Sequence, residues 1–234
     1  MNITPVKAFS DNYIWVIEEK QDAIVVDPGE SEGVLRYLKD NQLNLHAILL
    51  THEHDDHIGG VRAILTAFPE TPVYGPKETE RLADHVVEDG DFFTLLCHSF
   101  HVLKTAGHSH EHISFLTGDS LFCGDALFSG GCGRVFTGDY QAQYDALQTF
   151  SQLDDKVHVY AGHEYTQTNL RFAQSVEPSN QAINEELDEV NRLREKDIPT
   201  LPSTIGKERR INLLMQAENV EDFALLRTAR DQFS

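Results

Sequence analysis

Apolar and polar residues along the first thirty positions fall into two runs, NYIWVIEE (12–19) and DAIVVDPG (22–29), separated by a short polar gap; the pattern predicts a pair of strands. After Pro28-Gly29 the period changes. In SEGVLRYLKDNQL, Val34, Leu35 and Leu38 recur at helical spacing with acids in the first turn. LHAILLT (45–51) is a short continuous apolar run, the signature of a buried strand. GGVRAILTAF then reads as a helix through Val61, Ile64, Leu65 and Phe68, and PVYGP as another short strand. FFTLLCHSFHVLKT, HISFLTG, SLFCGDALF and KVHVYAGH supply further strands, with a helix YQAQYDALQTFSQL between the last two.

From Tyr165 onward the strand signals stop. TQTNLRFAQSVEP, QAINEELDEVNRLREKD and VEDFALLRTARDQF have helical apolar spacing, and a proline-bearing loop, IPTLPSTIG, lies between the last two. The pattern predicts an α/β domain over 1–165 and a helical domain over 166–234. No internal repeat or low-complexity segment interrupts it.

The 234 residues are enough for one large domain with an appendage, and 40% of them are hydrophobic, which sets the chain apart from disordered sequences. The N-terminus has no basic region followed by an apolar core, and no run approaches the roughly 20 apolar residues of a membrane span. Three cysteines, Cys97, Cys123 and Cys132, are too few and odd in number for a disulfide framework. Together these features predict a protein of the cytoplasm that is neither secreted nor membrane-bound. The net charge of −19 argues against nucleic-acid binding, which needs Lys and Arg to neutralise phosphates. The charge is uneven: residues 1–165 carry 10 Lys and Arg against 26 Asp and Glu, and residues 166–234 carry 9 against 12. An anionic ligand would meet least repulsion in the second part.

The densest chemistry lies in THEHDDHIGG (51–60), directly after the run read as a core strand. Functional groups gather beyond the carboxyl ends of strands in α/β sheets. In an extended segment His52 and His54 face the same way, and Asp56 and His57 follow where the chain must turn, so the segment offers one face to each of two ions. Imidazole and carboxylate donors without a thiolate suit Zn, Fe or Mn. Four donors need partners. GHSHEH (107–112) offers His108, His110 and His112, GDALF offers Asp125, and AGHEY offers His163, each near a strand end with glycine beside it. His46, His85, His98, His101 and His158 lack such settings and read as surface or partly buried histidines. Gly118-Asp119 in TGDS has the composition of a hairpin turn, whereas Gly124-Asp125 precedes a glycine-rich loop and is the better ligand candidate. Cys132 in GGCGR reads as a packing residue, and Cys97 and Cys123 as small hydrophobes in strands.

The series THEHDDH, TAGHSHEHISF, FCGDALFSGGCGR and GHEYTQTNLRFAQSVEP resembles the metallo-β-lactamase superfamily and, within it, the glyoxalase II family; an ending FALLRTARDQF extends the similarity over nearly the whole chain. The resemblance implies a four-layer αβ/βα sandwich with a C-terminal helical domain and a binuclear centre. By match to the motif, His52, His54 and His108 would hold one divalent ion, most readily Zn, with Fe or Mn possible, and Asp56, His57 and His163 the other. Asp125 would bridge them, and His110 and His112 would not be ligands. The family's glutathione site maps onto Arg134, Tyr165, Arg227 and Arg230, and guanidinium groups suit the two carboxylates of glutathione. Two positions depart from the family: Phe136 stands where some members have a substrate-contacting Tyr, and RRINLLMQ lacks an expected Asn-Pro-Phe, which bears on helical-domain packing.

The implied reaction is hydrolysis of S-(2-hydroxyacyl)glutathione, typically S-D-lactoylglutathione, to glutathione and a 2-hydroxy acid, the second step of methylglyoxal detoxification. A monomer acting on this small thioester is expected, with no nucleic-acid or membrane partner. Two other enzymes of the same superfamily, a persulfide dioxygenase with one iron and a lactonase, compete with this reading, as does a noncatalytic metal-binding protein.

Overall fold

The computed structural model describes residues 1–233. Six strands build the first sheet: β1 (Asn2–Ala8), β2 (Asn12–Glu19), β3 (Asp22–Val26), β4 (Asn44–Leu49), β5 (Val73–Gly75) and β6 (His85–Val86). They lie side by side in chain order, antiparallel through β3 and parallel from β3 to β6. The parallel steps require crossovers, made by α1 (Glu32–Asp40) between β3 and β4, and by the one-turn α2 (Asp55–Ile58) with α3 (Val61–Ala67) between β4 and β5. The second sheet holds β7 (Phe92–Leu95), β8 (His98–Lys104), β9 (Ile113–Thr117), β10 (Ser120–Gly124), β11 (His158–Ala161) and β12 (Ser203–Thr204), again in chain order, with α4 (Tyr140–Ser151) crossing from β10 to its parallel neighbour β11.

Strand alternation decides which side chains meet. Trp15, Ile17, Ile24, Val26 and Leu49 point from the first sheet into a shared core with Phe100, Val102 and Phe115 of the second. Ile14, Val16, Val25 and Ile48 point the other way and are covered by Val34 and Leu38 of α1 and Val61 and Ile64 of α3. Leu147 and Phe150 of α4 join the hydrophobic cluster of the second sheet. Two mixed sheets flanked by helices make the four-layer αβ/βα sandwich that the resemblance implies.

Four more helices follow: α5 (Thr166–Val176), α6 (Gln181–Arg194), α7 (Ile205–Ile211) and α8 (Val220–Gln232). Leu170, Ala173, Ile183, Leu187, Val190, Ile211 and Leu213 form their own small core. Asn180, Thr204 and Asn219 cap α6, α7 and α8 by accepting from backbone N–H groups of the first turn.

Three local features differ from the sequence pattern. β1 has no clean alternation, with Thr4 and Pro5 in its middle, and is defined by its pairing with β2. FFTLLCHSFHVLKT is a hairpin whose turn is Leu96-Cys97, both left-handed, so Cys97 is an exposed turn residue and not a strand hydrophobe. The loop IPTLPSTIG ends in β12 and the first turn of α7, because β11 offers it an edge to pair with.

Candidate metal centre

Each candidate donor sits where a strand ends. His52 and His54 follow β4, Asp56 and His57 occupy α2, His108 lies beyond β8, Asp125 follows β10 and His163 follows β11. The backbone approaches closely enough that glycine is required: a Cβ on Gly162 would meet Asp125 Oδ1 and His57 Cε1, and one on Gly133 would meet the Asp125 carbonyl and the His108 ring.

The donors form two groups. His54 Nδ1 stands 3.1 Å from His52 Nε2 and 2.9 Å from His108 Nε2. Asp56 Oδ2 stands 3.6 Å from His57 Nε2 and 3.3 Å from His163 Nε2. Asp125 lies between them, with Oδ1 3.2 Å from His57 Nε2 and Oδ2 3.4 Å from both His108 Nε2 and His163 Nε2. All seven donors therefore meet in one place. His57 Nε2 and Asp125 Oδ1, 3.2 Å apart, are buried without an aligned hydrogen bond, an arrangement that a cation between them would satisfy. That, and a donor set of imidazoles and carboxylates, fits divalent metal ions.

The electrostatics point the same way. Burial would raise the Asp125 carboxyl, but His163 and His57 outweigh it and hold the group well below the usual carboxylate range. A hydrogen bond with His163 is the chief cause holding Asp56 low. Burial would lower His57, yet Asp125 and Asp27 push it up to about 10, and His163 is raised by Asp125 and Asp11 against the same opposition. Burial keeps His52 far below its ordinary value and, with less force, lowers His108, so their lone pairs are available to a metal. The site attracts positive charge, and His52 and His108 offer it unprotonated nitrogens.

Behind the donors stands a layer that fixes their ring orientations. Buried Asp27, in the left-handed region at φ 51°, accepts from the Thr51 N–H (2.8 Å) and hydroxyl (2.6 Å) and lies 3.1 Å from His57 Nδ1. Asp27 also falls within reach of His52 and His57 as a third possible metal group, but its carboxylate meets the outward Nδ1 of His57 and so belongs to this layer. His108 Nδ1 meets the Arg134 carbonyl at 2.8 Å. Asp11 Oδ1 lies 2.7 Å from His163 Nδ1, and the Asn12 amide donates to Asp56 Oδ2 at 2.9 Å. His112 is fully buried and stacks on His52, with Nδ1 taken by the Thr105 hydroxyl at 2.9 Å and Nε2 accepting from the Asp125 N–H at 3.2 Å, while His110 is exposed. Asp119 sits in the two-residue turn between β9 and β10.

The centre forms the floor of a cavity of about 660 Å³ whose wall includes Arg134, Phe136, Tyr165, Arg227 and Arg230. The Tyr165 ring stacks on His163 at 4.7 Å, linking floor to wall. Phe136, 63% exposed, sets its edge against His54 and His108. Arg227 is only 5% exposed; its guanidinium donates to the Cys132 carbonyl and to Asp231 at 2.9 Å, while its Nε is buried without a partner. Among the described residues Arg134 donates through Nε to Asp231 (3.2 Å) and Arg230 through Nε to Asn169 (3.0 Å), leaving their other donors for a ligand. The segment RRINLLMQ carries a partner of the wall that spacing does not reveal. Asn212 is buried and donates to the Phe128 and Gly131 carbonyls, and buried Glu208 accepts from Ser129, the Gly130 N–H, Ser203 and Asn212.

Comparison with known proteins agrees with this architecture. The family model of the metallo-beta-lactamase superfamily matches residues 9–163, and that of the hydroxyacylglutathione hydrolase C-terminus matches 164–233. The hydroxyacylglutathione hydrolase of Glaesserella parasuis is 50% identical, and that of Pectobacterium atrosepticum 41% identical, in both cases over 100% of each chain. Among solved structures, ETHE1 from Myxococcus xanthus superposes with a TM-score of 0.75 at 26% identity, covering 97% of this chain and 90% of its own. The B3 metallo-beta-lactamase BLEG-1 does so at 0.69 and 24%, covering 92% and 98%, a likeness of fold. The chain belongs to the hydroxyacylglutathione hydrolase family of the metallo-β-lactamase superfamily.

Proposed function

We propose that the protein hydrolyses the thioester of S-(2-hydroxyacyl)glutathione, S-D-lactoylglutathione being the reference substrate, to glutathione and a 2-hydroxy acid. The observation that carries this reading is the joining of a carboxylate-bridged imidazole cluster and a guanidinium-bearing wall in one cavity. His52, His54 and His108 would hold one divalent ion, Asp56, His57 and His163 a second, and Asp125 would touch both. Zinc is the first choice for this donor set, with iron or manganese accepted according to supply. When bound, such ions supply an activated water and stabilise charge developing on a carbonyl oxygen.

The rest of the work falls to the chain. Arg134 and Arg230 offer bidentate donors to the glutathione carboxylates and so bring the acyl end over the floor. Arg227 holds the Cys132 carbonyl and Asp231 in place. Asp27, Thr51 and the Arg134 carbonyl fix the rings that the substrate carbonyl must face. The leaving thiolate needs little help from an acid, since thiols ionise near 8.5. The three cysteines are free thiols, which supports a reducing compartment, and we read the working form as a cytoplasmic monomer.

Loss of thioester absorbance from S-D-lactoylglutathione tests the proposal, with the expectation that turnover disappears on chelation and returns on readdition of zinc. Absence of turnover by metal-loaded protein would overturn the substrate assignment. Oxygen uptake with a persulfide in its place would favour the one-iron dioxygenase reading.

A further inference from the structure

The two donor groups differ in what stands behind them. The first is backed by neutral groups: the Arg134 carbonyl on His108 and the Thr51 hydroxyl, 3.0 Å from His52 Nδ1. The second is backed by Asp27 on His57, Asp11 on His163 and the Asn12 amide on Asp56. Two of those three supports, Asp11 and Asn12, are adjacent residues at the turn from β1 into β2. The turn is itself locked to the ligand it supports. The Glu164 N–H donates to the Asp11 carbonyl and the Tyr13 N–H to the Gly162 carbonyl, both at 2.8 Å, so backbone bonds tie residues 11 and 13 to the residues flanking His163. Asn12 and His163 form an isolated β-bridge, and the Tyr13 hydroxyl donates to the Glu164 carboxylate at 2.8 Å. Ser10 in turn donates to Asp11 Oδ2 at 2.8 Å.

We infer that Asp11 and Asn12 are positioning residues for the Asp56–His57–His163 ion alone, a clamp that aims His163 Nε2 and the Asp56 carboxylate while the His52–His54–His108 group stands without it. The inference rests on the two-ion reading above. A carboxylate on Nδ1–H fixes the tautomer that leaves Nε2 free to bind, and makes that nitrogen a stronger donor. The Asn12 amide holds Asp56 Oδ2, the oxygen that faces His57 and His163, against rotation. Removal of an outer partner of this kind costs about 10–100-fold in metal affinity.

The test strips the protein with a chelator and titrates it with zinc against a competing chelator, counting bound ions by elemental analysis. The parent chain is expected to bind two equivalents. Asp11→Ala should bind one with parental affinity and a second about 10–100-fold more weakly, recovered by raising free zinc. Asp11→Asn, which keeps an acceptor but no charge, should fall between. Double variants locate the weakened ion: Asp11→Ala with Asp56→Ala should bind like Asp56→Ala, whereas Asp11→Ala with His54→Ala should hold no tight ion. Thermal melting in chelator reports folding, and Asp11→Asn with Asn12→Ala carry the test if Asp11→Ala does not fold. Two ions bound with parental affinity in the folded variants would overturn the inference, and so would equal weakening of both ions. A parent chain that binds fewer than two ions would instead overturn the two-ion reading, a result visible before any variant is made.

Discussion

The floor and the wall of the cavity are built by different means. At the floor, seven donors converge from four strand ends; five are buried and the other two half-buried, with their rings and carboxylates held from behind. At the wall, Arg134 is exposed and Arg230 half-buried, each tied by a single atom, and buried Arg227 bonds the Cys132 carbonyl and Asp231. A rigid floor has no substitute for a missing donor, whereas an open wall shares its work among several groups and water. Changes at the floor should abolish the reaction, and changes at the wall should rescale binding.

The largest effect is expected at Asp125, where the two donor groups meet. Asp125→Ala should lower thioester hydrolysis by at least about 10³-fold, roughly 4 kcal/mol on the barrier. Activity within about tenfold of the parent would erase the distinction between floor and wall.

Glu208 sharpens the comparison from beneath the wall. It binds the Ser129-Gly130 segment of the loop that carries Arg134, so Glu208→Ala leaves buried donors unpaired and should cost about 2–4 kcal/mol in urea unfolding. Its pH dependence has a definite sign. Burial raises the Glu208 carboxyl above its ordinary 4.5, and hydrogen bonds from Ser203, Gly130, Ser129 and Asn212 recover only part of the shift. An acid raised in the folded state stabilises most below its unfolded value and loses that contribution as pH rises through the folded one. Measured in chelator, Glu208→Gln should therefore gain on the parent as pH rises from 4.5 toward neutrality. A constant difference across that range would remove the ionised carboxylate from the account.

The smallest effect is expected at Arg230. Arg230→Ala should raise KM about tenfold, near 1.4 kcal/mol, with kcat changed less than about twofold, and the difference should shrink at high salt. A fall in kcat with KM unchanged would move Arg230 from the wall to the floor.

The same contrast governs what the sequence discloses. His52, His54, Asp56 and His57 share one short segment, so strand periodicity alone faces two of them together and places the others at the turn. Asp125 could be preferred to Asp119 because a Gly-Asp pair between two apolar runs reads as a hairpin, and it is one. Asp11 and Asn12 escape such reading: a polar pair at a strand boundary looks like any turn, and only β1, itself weakly patterned, brings it to His163. Glu208 is equally silent, because a lone acid on a short helix reads as solvated until the loop it binds is in view. Cys97 misleads for the opposite reason, since its apolar neighbours hide a turn that depends on two left-handed residues. Long-range polar contacts leave no period in the chain.

The seam between the two family segments runs between His163 and Glu164, one residue short of Tyr165, whose ring lies against His163. Exchange of everything after that seam during descent would replace Tyr165, Arg227 and Arg230 in a single event and leave all seven candidate donors untouched. Because Arg134 stays on the near side of the seam, such an exchange would set guanidinium groups of two separate ancestries in one wall.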